Sequence, residues 1–257
     1  VILASGGASY PQTGSDGNGY MLAKATGHTV IPVLPALVPL NTVEQIPAAM
    51  INLNLRNVAV VLWVDEKKVN SWFGELMFTE FGLSGPTILS LSKTAVNALR
   101  ENKTVKITID LKPALDRQKL DARLLRDFKK HGKGHFIDIL KELLPSALHA
   151  FCCEKTGIPY GKEVHQISSR ERKRLLNWLK ELSFSISGHR SFEEAIITSG
   201  GIALKEIDSK TMESKIVKGL YFAGEILDLD ADTGGYNLQA AFSTGWVAGC
   251  SAASSII

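Results

Sequence analysis

The stretch Lys218 to Ala253, KGLYFAGEILDLDADTGGYNLQAAFSTGWVAGCSAA, constrains this chain more than any other, because it reads as strand, loop and helix in direct succession. Leu220, Tyr221, Phe222 and Ala223 form a short apolar run that stops at Gly224, as a buried strand does where the backbone must turn sharply. Glu225 follows at the strand's carboxyl end. Beyond an acidic loop, Gly234-Gly235 opens a helix over about Tyr236 to Ala253. Ala240, Ala241, Gly245, Ala248, Gly249 and Ala252 keep that helix thin enough to lie close against a sheet.

Ligands of open α/β sheets sit at the carboxyl ends of the strands, and a helix N-terminus there offers free N–H groups and about half a positive charge. The glycines admit a flat or phosphorylated group, and Glu225 suits the hydroxyls of a sugar or ribityl chain. A polyhydroxylated, electron-accepting cofactor fits all three features. An αβ unit built for stability alone fits the glycine turn as well. Calcium is a weaker rival: Asp228, Asp230 and Asp232 alternate as in an EF-hand loop, but Thr233 stands where the tight-turn Gly is needed and Gln239 where the bidentate Glu is needed.

The run GLYFAGEILDLDADTGGYNLQAAFSTG resembles the C-terminal FAD-binding signature of bacterial NAD(P)/FAD-dependent oxidoreductases, the flavoprotein family of aminoacetone-oxidase-like and 3-dehydro-bile-acid-reductase-like proteins. The resemblance implies that Gly224 and Glu225 lie by the ribityl chain. It implies equally that the backbone of Gly234, Gly235, Tyr236, Asn237, Leu238 and Gln239 faces the isoalloxazine. At the other end of the chain, Val1 to Ala4 reads as a strand released at Ser5-Gly6-Gly7, and a glycine loop with Gly14, Gly17 and Gly19 leads into a helix of about Tyr20 to Thr26. The family has similar Ser-Gly-Gly, Ser-Tyr-Pro and Gly-Asp-Gly-Tyr patterns, so Ser5, Gly6 and Gly7 join the expected cofactor site. Asn18 replaces the family's acid.

The chain opens on Val1, within an apolar run, and contains no G-x-G-x-x-G fingerprint for a pyrophosphate. We therefore expect a fragment with upstream sequence missing, holding only the flavin-side half of the site and inactive by itself. The expected fold is α/β: a discontinuous Rossmann-like FAD-binding domain of residues 1–31 and 199–257, with an inserted β-rich plus helical substrate domain of residues 32–198. His28 to Leu40, with Pro32, Pro35 and Pro39, reads as an extended crossover. Residues 32–112 read as β-rich, including 75–92 as strand; 113–182 as helical; and 183–198 as returning strands.

The activity implied is hydride transfer between flavin and a small organic substrate, with FAD as cofactor and NAD(P)H as candidate donor. No residue is assigned as catalytic acid or base. Tyr10, Glu80, His189, Arg190 and Tyr236 are polar groups within reach of a cleft, Glu80 standing where the family commonly has His. A non-enzymatic binding or scaffold protein and an RNA-modifying flavoprotein are the alternatives. A net charge of +3 over 257 residues argues against a nucleic-acid partner, and the basic stretch Ser168 to Lys180 reads as the wet face of a helix. Three cysteines make no disulfide framework, and no apolar run suits a bilayer. The histidines lack metal-ligand spacing, so no metal is expected. A cytoplasmic protein with a small-molecule substrate and no membrane partner is the expectation.

Overall fold

The structure, a computed structural model, describes residues 1–255. In chain order they form β1 (Ile2–Leu3), α1 (Asn18–Ala25), β2 (Val30–Ala36), β3 (Leu40–Thr42), β4 (Asn54–Val64), β5 (Lys67–Phe78) and β6 (Gly82–Ser84). Next come α2 (Pro86–Arg100), β7 (Val105–Asp110), α3 (Arg117–His131), α4 (Phe136–Leu143), α5 (His149–Thr156) and α6 (Ser169–Lys180). The remainder is β8 (Leu182–His189), β9 (Ile197–Ile202), β10 (Tyr221–Phe222) and α7 (Tyr236–Ser254). Two compact units share these elements: Val1–Leu40, Ile88–Glu101 and Gly188 onward in the first, Asn41–Thr87 and Asn102–Ser187 in the second.

In the first unit the two ends of the chain meet. Strand β1 pairs in parallel with β10, Ile2 beside Tyr221 and Leu3 beside Phe222. Side chains of a strand alternate between faces. Phe222 accordingly joins Tyr20 and Ala23 of α1, with Ile202, Ile226 and Leu227, in one cluster. Tyr221 and Ala223 instead pack with Ala248 of α7. Helices on both faces of a parallel pair make the layering of an α/β fold. The close approach of α7 rests on Ala248 and Ala252; Gly245 and Gly249 face open space. The opposite stripe of α7 leaves Leu238, Phe242 and Trp246 64%, 68% and 76% exposed.

The proline-rich segment is extended, as expected, but pairs within the first unit as a strand with one neighbour and an interrupted ladder. Strand β2 runs antiparallel to β9, with a register shift between Ile31 and Leu34. Proline cannot donate to a ladder, so pairing breaks around Pro32 and resumes beyond it. Gly200 makes the bulge possible: its φ is +86°, and a Cβ there would lie 2.1 Å from the Pro32 carbonyl oxygen.

Two further expectations need correction. Residues 86–92, read as strand, begin α2, where Pro86 stands in the first turn that tolerates proline. Ile88, Leu91, Ala95 and Val96 are buried at helical spacing. The boundaries also move, since 32–40, 88–101 and 188–198 belong to the first unit rather than to an insert. The cause is packing: Leu89 meets Ala36, Leu37 and Ile197, and Val96 meets Val38 and Ala195.

In the second unit β3, β6, β5, β4, β7 and β8 close a barrel in that order. The left-handed pair Asp65 and Glu66 (φ 48° and 61°) turns β4 into β5. Period-two burial of Val58, Val60 and Leu62, with Ile107 and Ile109 opposite, fills the interior. Helices α3 to α6 follow, each buried along one stripe, as with Phe136, Ile139, Leu140 and Leu143 of α4. No helix of the described residues is long and apolar enough to cross a membrane.

Candidate functional site

A concave pocket of about 360 Å³ opens at the N-terminus of α7, within the first unit. Six residues expected in a cofactor site line it: Gly224, Glu225, Gly234, Gly235, Asn237 and Leu238. Gly235 is the residue before the helix, in the left-handed region at φ 87°, and no side chain caps the first turn. Its N–H groups have no intrahelical acceptors, and a helix N-terminus so left favours negative charge. A Cβ on Gly235 would meet nothing within 4 Å, so the backbone itself borders the open volume. Leu37, Ile196, Ile197 and Leu229 add apolar walls. Bare backbone donors at one edge and an apolar body suit a flat ring with an electronegative rim, so the residues present fit a flavin ring.

Two side chains hold this geometry. Asn237 accepts from Ala231 N–H (2.8 Å) and donates back to the Ala231 carbonyl (2.8 Å), pinning the acidic loop to the start of α7. Thr244 Oγ1 accepts from Gly224 N–H (2.9 Å) and donates to the Ala240 carbonyl (2.7 Å), tying the end of β10 to the helix. Asn237 thus lines the pocket but directs its amide into the loop.

Glu225 is likewise partly engaged: Oε1 accepts from Thr198 N–H at 2.8 Å. Thr198 Oγ1 in turn accepts from Ala8 N–H (2.8 Å) and Ser9 N–H (3.1 Å). Gly7 packs into this knot, since a Cβ there would lie 2.4 Å from Thr198 Oγ1 and 2.5 Å from Glu225 Oε1. Burial, then the Glu225 charge, pushes the Tyr20 phenol well above its usual range.

Ser5, Gly6 and Gly7 do not line the pocket; Gly7 alone abuts the Thr198–Glu225 link, while Gly6 packs on Ser15 and Ser5 on Gly19. Tyr236 is 64% exposed and stands over Gly234, while Gln239 donates to Ser243 Oγ (3.0 Å). Neither lines the pocket. Tyr10, Glu80, His189 and Arg190 are absent from its lining as well: Glu80 sits in the turn between β5 and β6, and Arg190 pairs with Glu194 (2.6 Å). Asn18 bonds Asp16 through its amide and backbone; an acid at 18 would face a like charge there.

Leu37, Ile196, Ile197, Leu229, Asp232, Thr233, Ala240 and Ala241 were not anticipated from the sequence. Leu37 has φ 48°, a conformation no residue pattern announces in a leucine. Asp230 is occupied by Lys93 Nζ (2.8 Å to each oxygen) and Ser199 Oγ (3.1 Å). Burial first, and the Asp230 charge second, raises the Asp228 carboxyl above its ordinary value, against the pull of Lys93.

A family model described as HI0933-like protein Rossmann domain matches residues 1–251. Over 253 residues the chain is 31% identical to the 3-dehydro-bile acid delta(4,6)-reductase of Clostridium scindens, covering 98% of this chain and 62% of that protein. It is 32% identical over 246 residues to the ribosomal RNA dihydrouridine synthase of Haemophilus influenzae, and 30% identical over 246 residues to that of Escherichia coli. Each of those alignments covers 96% of this chain and 58% of the relative. The chain therefore spans about three fifths of the length of the curated relatives it matches.

Proposed function

The chain belongs to the HI0933-like Rossmann family, and from that premise we propose that it supplies the flavin-ring side of an FAD-dependent oxidoreductase, with NAD(P)H as electron donor. The observation that carries this reading is the uncapped N-terminus of α7 behind Gly234-Gly235, open to an apolar-walled pocket. None of the 257 residues forms a pyrophosphate fingerprint, so the reading gives them the ring and ribityl chain only.

Flavin, when bound, supplies hydride transfer, and the protein supplies orientation and field. The first-turn amides of α7 are placed to favour negative charge at a ring edge. Leu37, Ile197 and Leu238 exclude water from the ring's body. Glu225, fixed by Thr198 through one oxygen, has the other to accept from a ribityl hydroxyl. Asn237 and Thr244 keep the loop and strand end where these contacts need them.

The relatives' names narrow the reaction. "Delta(4,6)-reductase" and "dihydrouridine synthase" both describe saturation of a ring carbon–carbon double bond. We take the substrate to be such a ring. The free cysteines agree with a reducing, cytoplasmic setting.

Flavin fluorescence titration tests the reading, on this chain and on a polypeptide extended to the relatives' length. Quenching by both is expected, weakly by the chain and tightly by the longer form. Gly235→Val should weaken binding by at least about tenfold, since it fills the open face and forces a β-branched residue to positive φ. Equal binding by wild type and variant, or no binding by the longer form, would overturn it.

A further inference from the structure

The modest net charge is the sum of two unlike parts. From Lys112 to Lys180 stand sixteen Lys and Arg against eight Asp and Glu, a formal +8, which leaves −5 on the rest of the chain. Charge segregated in this way marks a polyanion-binding surface where an even distribution would not.

Within the second unit that charge borders a groove of about 560 Å³ between α3 and α6. Arg117 and Asp121 line it from α3, and Arg170, Arg172, Lys173 and Asn177 from α6. Two of the cations are neutralised: Arg172 by Asp121 (2.8 Å) and Arg117 by Glu181 (2.5 Å). Arg170 and Lys173, one helical turn apart on the same face, are exposed and have no carboxylate partner among the described residues. Arg126, Lys129 and Lys133 are exposed and unpaired in the same way.

Their position on the helix is a second, independent observation. Arg170, Arg172, Lys173 and Arg174 crowd the first half of α6, whose N-terminus already carries the positive end of the helix dipole. A fold serving only itself places acids there. Glu171 alone does so, and it is taken by Lys162 (2.7 Å) and the Ser168 cap. Cations held against one another at the positive end of a helix are stabilised when an anion enters the groove.

We propose that the α3–α6 groove binds the phosphate backbone of RNA. A positively charged groove tracks a polynucleotide backbone, and the salt bridges within it position its cations. A membrane surface fits less well: across α3 and α6 Leu125 is the single exposed large apolar side chain among the described residues, too little apolar surface to insert. Polyanion binding here is independent of the flavin pocket; the choice of RNA over DNA rests on the ring reduction proposed above being that of the relatives named as ribosomal RNA dihydrouridine synthases.

Anisotropy of a fluorescein-labelled RNA stem-loop, titrated with the 257-residue chain over a salt series, tests this. Binding should weaken steeply with salt. The Arg170→Ala/Lys173→Ala double variant should lose about tenfold in affinity and reduce the salt slope by about 2, one for each phosphate contact removed. Lys67→Ala/Lys68→Ala, exposed at the start of β5, should bind as wild type does, and circular dichroism should show all three equally folded. Flavin titration of the same variants should match wild type, so failure of the flavin reading leaves the RNA result standing. The proposal is overturned by absent RNA binding at low salt, by an unchanged double variant, or by equal affinity for a DNA hairpin or for phosphatidylserine vesicles.

Discussion

Glu171 has a folding role that can be separated from any ligand. Its carboxylate accepts from Lys162 Nζ (2.7 Å) and from the backbone N–H and hydroxyl of Ser168 (2.8 Å each), closing the capping box that starts α6. The Lys162 hydrogen bond, aided by those from Ser168 and opposed by burial, holds its pKa down to about 2 from an ordinary 4.5. A depressed carboxylate stabilises the fold above its unfolded pKa, and the contribution is lost as pH falls towards the folded value. Glu171→Gln should therefore cost about 1 kcal/mol at neutral pH. Urea melts at several pH values should show the gap closing between pH 4.5 and about 2; a gap that persists at the acid end would contradict the ionic origin. Sequence alone gave Glu171 three residues after a serine, which is enough to read a cap. It could not give Thr244 its role, because a hydroxyl that receives Gly224 N–H from another element looks like any polar residue on a helix.

At the scale of elements, β2 and β9 show how far proline rules reach. Three prolines in His28 to Leu40 argue against regular pairing, and the ladder does break around Pro32, while Pro35 keeps its place opposite Thr198. What the prolines could not reveal is the partner's accommodation: Gly200, at φ +86°, lets the Pro32 carbonyl approach. Gly200→Ala should cost about 2–4 kcal/mol, combining left-handed strain with a rigid backbone clash. Gly219→Ala is the control, also at positive φ (+78°) but with no atom within 4 Å of the new Cβ. Thermal or urea melts should rank Gly200→Ala well below it. Helix α2 was obscured for a different reason. Its first residues continue an apolar run that begins in β5 and β6, and a short window across Ser84-Gly85-Pro86 contains both periods. The amphipathic helices α4 and α6 were legible because four or five turn-spaced apolar residues stand among charges, with no competing pattern.

Across the whole molecule, the meeting of the chain's ends was readable from two matching strand-and-glycine patterns, and the structure joins them as β1 and β10. The distribution of charge was not, because a net value averages over regions of opposite sign. The pocket was half legible: glycines and Glu225 announce themselves, whereas Leu37, Ile196 and Ile197 enter it through the pairing of β2 with β9, a long-range event without a local signature. That long range also sets a difference in local stability. Ile2 pairs with Tyr221 near the far end of the sequence, and closing so long a loop is costlier than closing the tight β4–β5 turn. The gain is small, two residues of parallel ladder. Strand β4, by contrast, is paired on both sides, Leu62 with Asn70 and with Ile107. Sub-global opening follows the cheapest loss of contacts, so β1 should detach from β10 while the barrel remains closed. Native-state hydrogen exchange followed by NMR should find the Tyr221 and Ala223 amides, bonded to the Val1 (2.8 Å) and Leu3 (3.2 Å) carbonyls, exchanging faster than those of Val60 and Leu62, with little dependence on added urea. Equal protection at the two places, falling in step with urea, would show that the β1–β10 pair opens only with the whole fold.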